Sequence, residues 1–235
     1  RAVSPILCTW EAHWPIGHAV VWPDGCRDLI AILARDQPPK VICSGLDAAP
    51  RRVVCASATR FVGIRLAPGI TVPWDEDDPD RIRQDVDLTR CFPLLDQWWG
   101  DACAGEEIAQ TLSHHIEATA GPAPGWIADY FNALRHGDPI PTPAPRGRSL
   151  RRKLVQATGA PPRYWQGLIR ARKVARAVSQ SDHPLVAIAA DHGFADQAHM
   201  SREIRRWFGC TPMTLRIDRE QSLPRLTAPD LLCIP

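Results

Sequence analysis

Residues 185–208, LVAIAADHGFADQAHMSREIRRWF, carry an apolar period that is interrupted at a single glycine. The pattern predicts a helix over Pro184–Asp191, a turn at Gly193 and a second helix over Asp196–Phe208, which together make a helix-turn-helix. Pro184 suits a first-turn position, and Asp196 offers a carboxylate to the unpaired N–H groups that open the second helix. At about 100° per residue, Met200, Ile204, Trp207 and Phe208 fall on one face of that helix, and Ala198, Arg202 and Arg205 fall on the opposite face. The first face docks and the second points outward. Small and cationic side chains near a helix N-terminus suit entry into a DNA major groove, where Arg bonds guanine bidentately and a methyl touches thymine. Gln197, His199 and Ser201 flank that face.

The same arrangement repeats upstream. A helix is expected over Ser149–Ala157, with Leu150, Leu154 and Ala157 on one face, Arg148 and Arg152 opposite, and Arg151 and Lys153 to the sides. Between the two units, Pro161–Gln180 predicts a rod of about twenty residues, roughly 30 Å long, against about 34 Å for one turn of DNA. Two reading helices so joined can enter successive major grooves without a dimer. Tyr164, Leu168, Ala171, Ala175 and Val178 form the expected buried stripe of the rod, with Arg170 and Lys173 facing away. From Ile140 to Arg219 there are 15 Lys/Arg against 5 Asp/Glu, whereas the rest of the chain is acidic, although the net charge of the whole is only +2. So basic a segment is the electrostatic footprint of polyanion binding.

The first seventy residues read differently. Short β-branched or apolar runs at Ala19–Trp22, Asp28–Leu33, Val41–Ser44 and Ala58–Leu66 predict strands, with Pro23-Asp24-Gly25 closing a hairpin between the first two. The acidic run from Trp74 to Pro79 predicts an exposed loop. Helices are then expected over Leu88–Cys103, Glu106–Ala118 and Trp126–Arg135, followed by a stiff connector at Pro139, Pro141, Pro143 and Pro145. The stretch from Gln221 lacks periodicity and reads as a loosely packed tail. The expected class is therefore α+β: a β-rich, small barrel or sandwich-like domain with a helical extension over residues 1–120, an all-α module with two helix-turn-helix units over 121–220, and a tail over 221–235.

The string GFADQAHMSREIRRWFGCTP, residues 193–212, resembles the AraC family of transcription regulators, and Ser149, Arg152, Leu154, Gly159, Pro162, Tyr164 and Arg170 are similar to the first half of that family's DNA-binding module. The resemblance covers about residues 126–219. It implies a bacterial, cytoplasmic regulator that binds double-stranded promoter DNA through two helix-turn-helix units joined by a linker helix. Arg148, Ser149, Arg151, Arg152, Gln197, Ala198, His199, Ser201 and Arg202 fall on its reading helices, and Arg163, Arg170, Lys173 and Arg205 are placed to meet phosphates. WPDGCRDL (22–29) and GIRLAPG (63–69) are similar to a β-rich domain that precedes the module in some members. By analogy that domain senses a small-molecule effector or mediates association, and RNA polymerase and a second copy of the chain are further partners that the resemblance admits.

Candidate ligand residues in the N-terminal half are Trp22, Cys26, Arg65 and Trp74. Six tryptophans fall within the first hundred residues, Trp10, Trp14, Trp22, Trp74, Trp98 and Trp99. They either line an apolar pocket or pack the core, the commoner role for large aromatics. Cys26 beside Arg27 is either a reactive thiol, which would make the protein a redox or electrophile sensor, or a small buried hydrophobe. Asp28 and Arg65 are expected to pair across the sheet. No metal or cofactor is expected. The eight cysteines stand singly, adjacent His114 and His115 diverge, His13 and His18 lack a third ligand, and the Asp75–Asp78 run reads as solvated loop. Nucleophile-elbow, phosphate-loop and His/Glu metal signatures are all missing, and so is the cysteine spacing of the DNA methyl-repair enzymes to which this kind of module is sometimes fused, so no enzyme is read here. No apolar run approaches the roughly 18 residues of a membrane span, and no secretory signal is legible at Arg1–Pro5.

Overall fold

The computed structural model describes residues 4–75, 82–98, 103–140 and 147–227. Its strands are β1 (Ile6–Trp14), β2 (Gly17–Val21), β3 (Arg27–Ala34), β4 (Lys40–Cys43), β5 (Arg51–Cys55), β6 (Thr59–Leu66) and β7 (Val86–Asp87). Five of them form an antiparallel sheet in the order β1-β6-β3-β4-β7, while β2 and β5 pair as a separate ribbon. The pleat sorts β3 into two faces. Leu29, Ala31 and Leu33 are buried with Val41, Val62 and Ile64, under the Ile108, Leu112 and Ile116 stripe of α1 (Gly105–Thr119). On the other face, Ile30 and Ile32 are only half-buried, as is Ile42 of β4. The barrel or sandwich-like expectation thus takes the form of a sheet, a ribbon and one covering helix.

Several expectations need correction. Gly25 does take a positive φ (78°), but residues 22–26 do not close a hairpin. They carry the chain from the ribbon into the sheet, because β2 pairs with β5 and β3 with β6 and β4. The helix expected over Leu88–Cys103 is replaced by two short 3₁₀ turns, Thr89–Cys91 and Leu95–Trp98. Pro93 cannot continue a helix, and the Asp87 carboxylate turns the chain by accepting from the Thr89 N–H at 2.9 Å. Asp75 is not solvated: it accepts from Arg27 at 2.5 and 3.1 Å with its side chain largely buried. The remaining residues of that acidic run, 76–79, lie outside the described residues, as do Trp99, Pro141, Pro143 and Pro145.

Among the described residues, seven helices follow α1: α2 (Gly125–His136), α3 (Gly147–Thr158), α4 (Pro162–Gln180), α5 (Leu185–Asp191), α6 (Gln197–Phe208), α7 (Pro212–Ile217) and α8 (Arg219–Thr227). The α4 rod is buried on two sides, not along one stripe. Leu168, Ala171, Val174, Ala175 and Val178 pack with Ile188, Met200, Ile204, Phe208 and Leu215 of the second helix-turn-helix. Trp165 and Ile169 pack with Tyr130, Phe131 and Leu154 of the first. Tyr164 is half-buried where the two clusters meet, its ring 4.8 Å from that of Trp165 and 5.5 Å from that of Trp207.

The tail also needs correction, since residues 221–227 belong to α8 and Leu226 is fully buried against α4. Its C-terminal carbonyls are held by α4. Arg172 donates to the carbonyls of Arg225 and Leu226, both at 3.2 Å, and to that of Pro23 at 3.0 Å. A guanidinium buried this deeply is tolerable because carbonyl oxygens replace its water.

Candidate functional site

The second reading helix, α6, is fixed by its cap and its buried face. Asp196 accepts from the His199 N–H at 2.6 Å, Gly209 ends the helix at φ 71°, and Met200, Ile204, Trp207 and Phe208 are all but inaccessible. Gln197, Ala198, Arg202 and Arg205 are exposed on the other side. Ser201 and His199 are half-buried; the Ser201 hydroxyl donates back to the Gln197 carbonyl at 2.8 Å, and the His199 ring meets Phe194 edge-on at 5.3 Å. In α3, Leu154 is buried, while Arg148, Ser149, Arg151, Arg152 and Lys153 are exposed. Among the described residues, none of Arg148, Arg151, Arg152, Arg202 and Arg205 has a carboxylate partner.

The expected phosphate contacts divide. Arg163 and Arg205 are exposed. Arg170 and Lys173 are half-buried: the Arg170 guanidinium lies 4.6 Å over the Phe194 ring, and the Lys173 ammonium donates to the Arg135 carbonyl. These two cations serve the packing of α4 against its neighbours.

A cavity of about 570 Å³ opens between the half-buried face of the sheet and the β2–β5 ribbon. Trp22, Cys26 and Arg65 all line it, together with Trp10, Trp14 and Asp28. Arg65 bridges Asp24 at 2.7 Å and Asp28 at 2.9 Å, the cross-sheet pair expected from sequence. Trp74 does not join this group. It packs on the opposite side of the sheet and stacks on His115 at 6.2 Å, and Trp98 packs there too. The neighbourhood expected for Cys26 also differs: the Arg27 guanidinium turns away from it to Asp75, the Ser44 carbonyl and the Cys43 thiol. Cys26 is buried, and burial pushes the Cys43 thiol up to about 11. Among the described residues no group of acidic, Cys and His side chains is placed to hold a metal, and no helix is long and apolar enough to cross a membrane.

A helix-turn-helix domain family matches residues 146–217. The chain is 34% identical over 120 residues to the HTH-type transcriptional activator RhaS of Escherichia fergusonii, a match covering 51% of this chain and 41% of that protein. It is 36% identical over 69 residues to RhaS of Pectobacterium carotovorum subsp. carotovorum, covering 29% of this chain and 25% of that one. Residues 146–217 are an AraC-type helix-turn-helix domain. The chain thus spans less than half the length of the curated relatives it matches. Among solved structures, ToxT from Vibrio cholerae aligns with a TM-score of 0.42 at 9% identity over 89% of this chain and 97% of that one. A second ToxT structure, bound to (E)-4-(8-methylnaphthalen-1-yl)but-3-enoic acid, aligns with a TM-score of 0.42 at 10% identity over 94% and 99%.

The ribbon stands between the cavity and the AraC-type domain. Val21, Arg51 and Val53 line the cavity, while Val20 and Arg52 border a crevice against Phe208, Cys210 and Thr214. The Val20 carbonyl accepts from Arg225 at 2.6 Å, and Arg225 lies 4.7 Å over the Trp22 ring. Trp22 in turn meets Phe208, the last residue of α6, edge-on at 5.4 Å. Beside the ribbon, the Asp47 carbonyl accepts from the Tyr164 hydroxyl at 2.6 Å.

Sequence reasoning left Trp10 and Trp14 open between pocket and core, and it missed Arg172 in its role. The alternation of Trp10, Ala12 and Trp14 with Thr9, Glu11 and His13 is the strand signal that finds the first two. Nothing in the sequence separates the buried Arg172 from its half-buried cationic neighbours Arg170, Lys173 and Arg176.

Proposed function

We propose that the chain is a transcription regulator that binds promoter DNA through residues of about 121–220 and takes a small-molecule effector in its N-terminal domain, residues of about 1–120. The observation that carries this reading is the outward face of α6: a capped helix docked by four buried side chains that leaves Gln197, Ala198, Arg202 and Arg205 in solvent, the two arginines without carboxylate partners among the described residues. Arg148, Arg152, Gln197, Ala198, His199 and Arg202 read base edges, with Ser149, Arg151 and Ser201 beside them, and Arg163 and Arg205 hold phosphates. The α4 rod, 19 residues and so about 28 Å long, spaces the units by close to one DNA turn. Effector control is supported by the ribbon, because the wall that bounds the cavity also touches the end of α6 and α8.

Arg202→Ala tests the reading. It should cost about 1–3 kcal/mol on a site obtained by selection from random DNA, and much less on unselected DNA, both measured at one salt concentration. Equal losses on the two would remove Arg202 from base readout.

A further inference from the structure

The cavity carries a charge balance opposite to that of the domain it faces. Four carboxylates line it, those of Asp24, Asp28, Asp47 and Asp85, against the guanidiniums of Arg51 and Arg65. Each arginine is shared between two aspartates: Arg65 meets Asp24 at 2.7 Å and Asp28 at 2.9 Å, and Arg51 meets Asp85 at 2.7 Å and Asp47 at 3.3 Å. Among the cavity-lining side chains each cluster thus sets two carboxylates against one guanidinium, with the buried Arg172 also acting on Asp24 from behind the wall. An incoming anion would find both arginines paired with carboxylates and a surplus of negative charge along the lining, the Arg51 Nε being the one guanidinium nitrogen there that is buried without a hydrogen-bond partner among the described residues. Burial pushes Asp24 upward, and it pushes Asp47 to about 6, despite the adjacent guanidiniums.

The remaining wall is aromatic and aliphatic, with Trp10, Trp14, Trp22 and Phe61 facing Ile30 and Ile32. Trp10 lies against the backbone of Gly63, where a Cβ would sit 2.4 Å from the indole carbons. The glycine leaves room for the ring over the open face of the sheet. The Trp10 indole N–H is buried and has no hydrogen-bond partner among the described residues. Indole faces attract a cation through the ring quadrupole, most strongly where water is excluded.

We propose that this cavity binds a hydrophobic organic cation, an amine on an aromatic or aliphatic body, with its charged end beside the aspartates and its body against Trp10, Trp14, Ile30 and Ile32. Such a ligand supplies a further positive charge and covers the half-buried isoleucines. The proposal rests on the effector reading for its biological use, but the cation site itself is tested by ligand titration alone.

Full-length protein is titrated with three probes of one shape, 4-phenylbutylamine, 4-phenylbutan-1-ol and 4-phenylbutanoate, near neutral pH, followed by tryptophan fluorescence and calorimetry. The amine should bind at least about tenfold more tightly than the alcohol, and the carboxylate most weakly. Asp24→Asn and Asp85→Asn keep the side-chain shape and should each erase much of that preference. A carboxylate or alcohol that binds as well as the amine overturns the proposal, and so does a preference that survives both substitutions. The wild-type ranking decides even if the variants fail to fold. Amine binding without any change in affinity for the selected DNA site would keep the cation site and remove effector control. Lack of amine preference together with normal DNA binding would do the reverse.

Discussion

The arginines of α4 and those of α3 and α6 come from one basic segment, yet they lead different lives. Arg172 is buried and bonded to three carbonyls from both halves of the chain, and Arg170 is stacked on Phe194. Arg148, Arg151, Arg152, Arg202 and Arg205 stand in solvent without carboxylate partners among the described residues. A charge count over residues 140–219 therefore overstates the surface available to a polyanion, since part of that charge joins the protein to itself. The two sets should respond to different variables. Salt acts on the exposed set, through counterions released from DNA. Folding stability acts on the buried set.

The largest effect expected from this contrast is at Arg172. Arg172→Leu removes the guanidinium donor from the Pro23 and Arg225 carbonyls, while the Leu226 carbonyl keeps its bond from Arg176, and should destabilise the chain by about 3 kcal/mol, read from urea unfolding. A loss below 0.5 kcal/mol, the ordinary surface range, would mean that the join does not depend on it.

A pH effect of intermediate size is expected at Asp47, next to the same join. Burial raises its pKa to about 6, with Arg51 opposing the shift and Asp85 and Asp24 adding to it. The native state then holds this proton more tightly than the unfolded chain does, so the sign is opposite to that of a salt-bridged carboxylate. Stability is greatest below the ordinary carboxylate value and falls as pH rises from about 4 to 6, by roughly 2 kcal/mol at most. Asp47→Asn should flatten that slope; an unchanged profile would show that Asp47 is not its source.

The exposed set gives the smallest shifts. Arg163→Gln and Arg205→Gln should each reduce the slope of log affinity against log salt by about one, without site preference and with folding stability changed by under about 0.5 kcal/mol.

Much of the helical half was legible. Asp196 and Gly193 mark the ends of α6 and its turn, and the apolar period of α6 named the four side chains that the structure buries. Periodicity failed where a helix is covered on more than one side. Trp165, Ile169 and Arg172 lie off the single stripe assigned to α4, because α2, α3 and α8 cover what would otherwise be its wet face. The α8 helix was hidden by its composition: it contains Pro224 and only a few apolar residues, and burial of Leu226 against α4 holds it in place. The cavity was half-legible. Trp22, Cys26 and Arg65 line it, but alternate residues from several strands build its wall, and no local pattern in sequence announces such a convergence. Trp74 missed because it sits in a short 3₁₀ turn, Pro73–Asp75, whose packing on the α1 side of the sheet no sequence period announces.

The pleat of the short ribbon has one more consequence. Neighbours in the chain face separate spaces there, Val21 and Val53 the cavity and Val20 and Arg52 the crevice against α6 and α8, so under the proposed effector control the first pair would set what fits and the second how occupancy is passed on. On the proposed function, chemical preference and mechanical response could then drift independently, one odd or even position at a time, without disturbing the two helices proposed to read DNA.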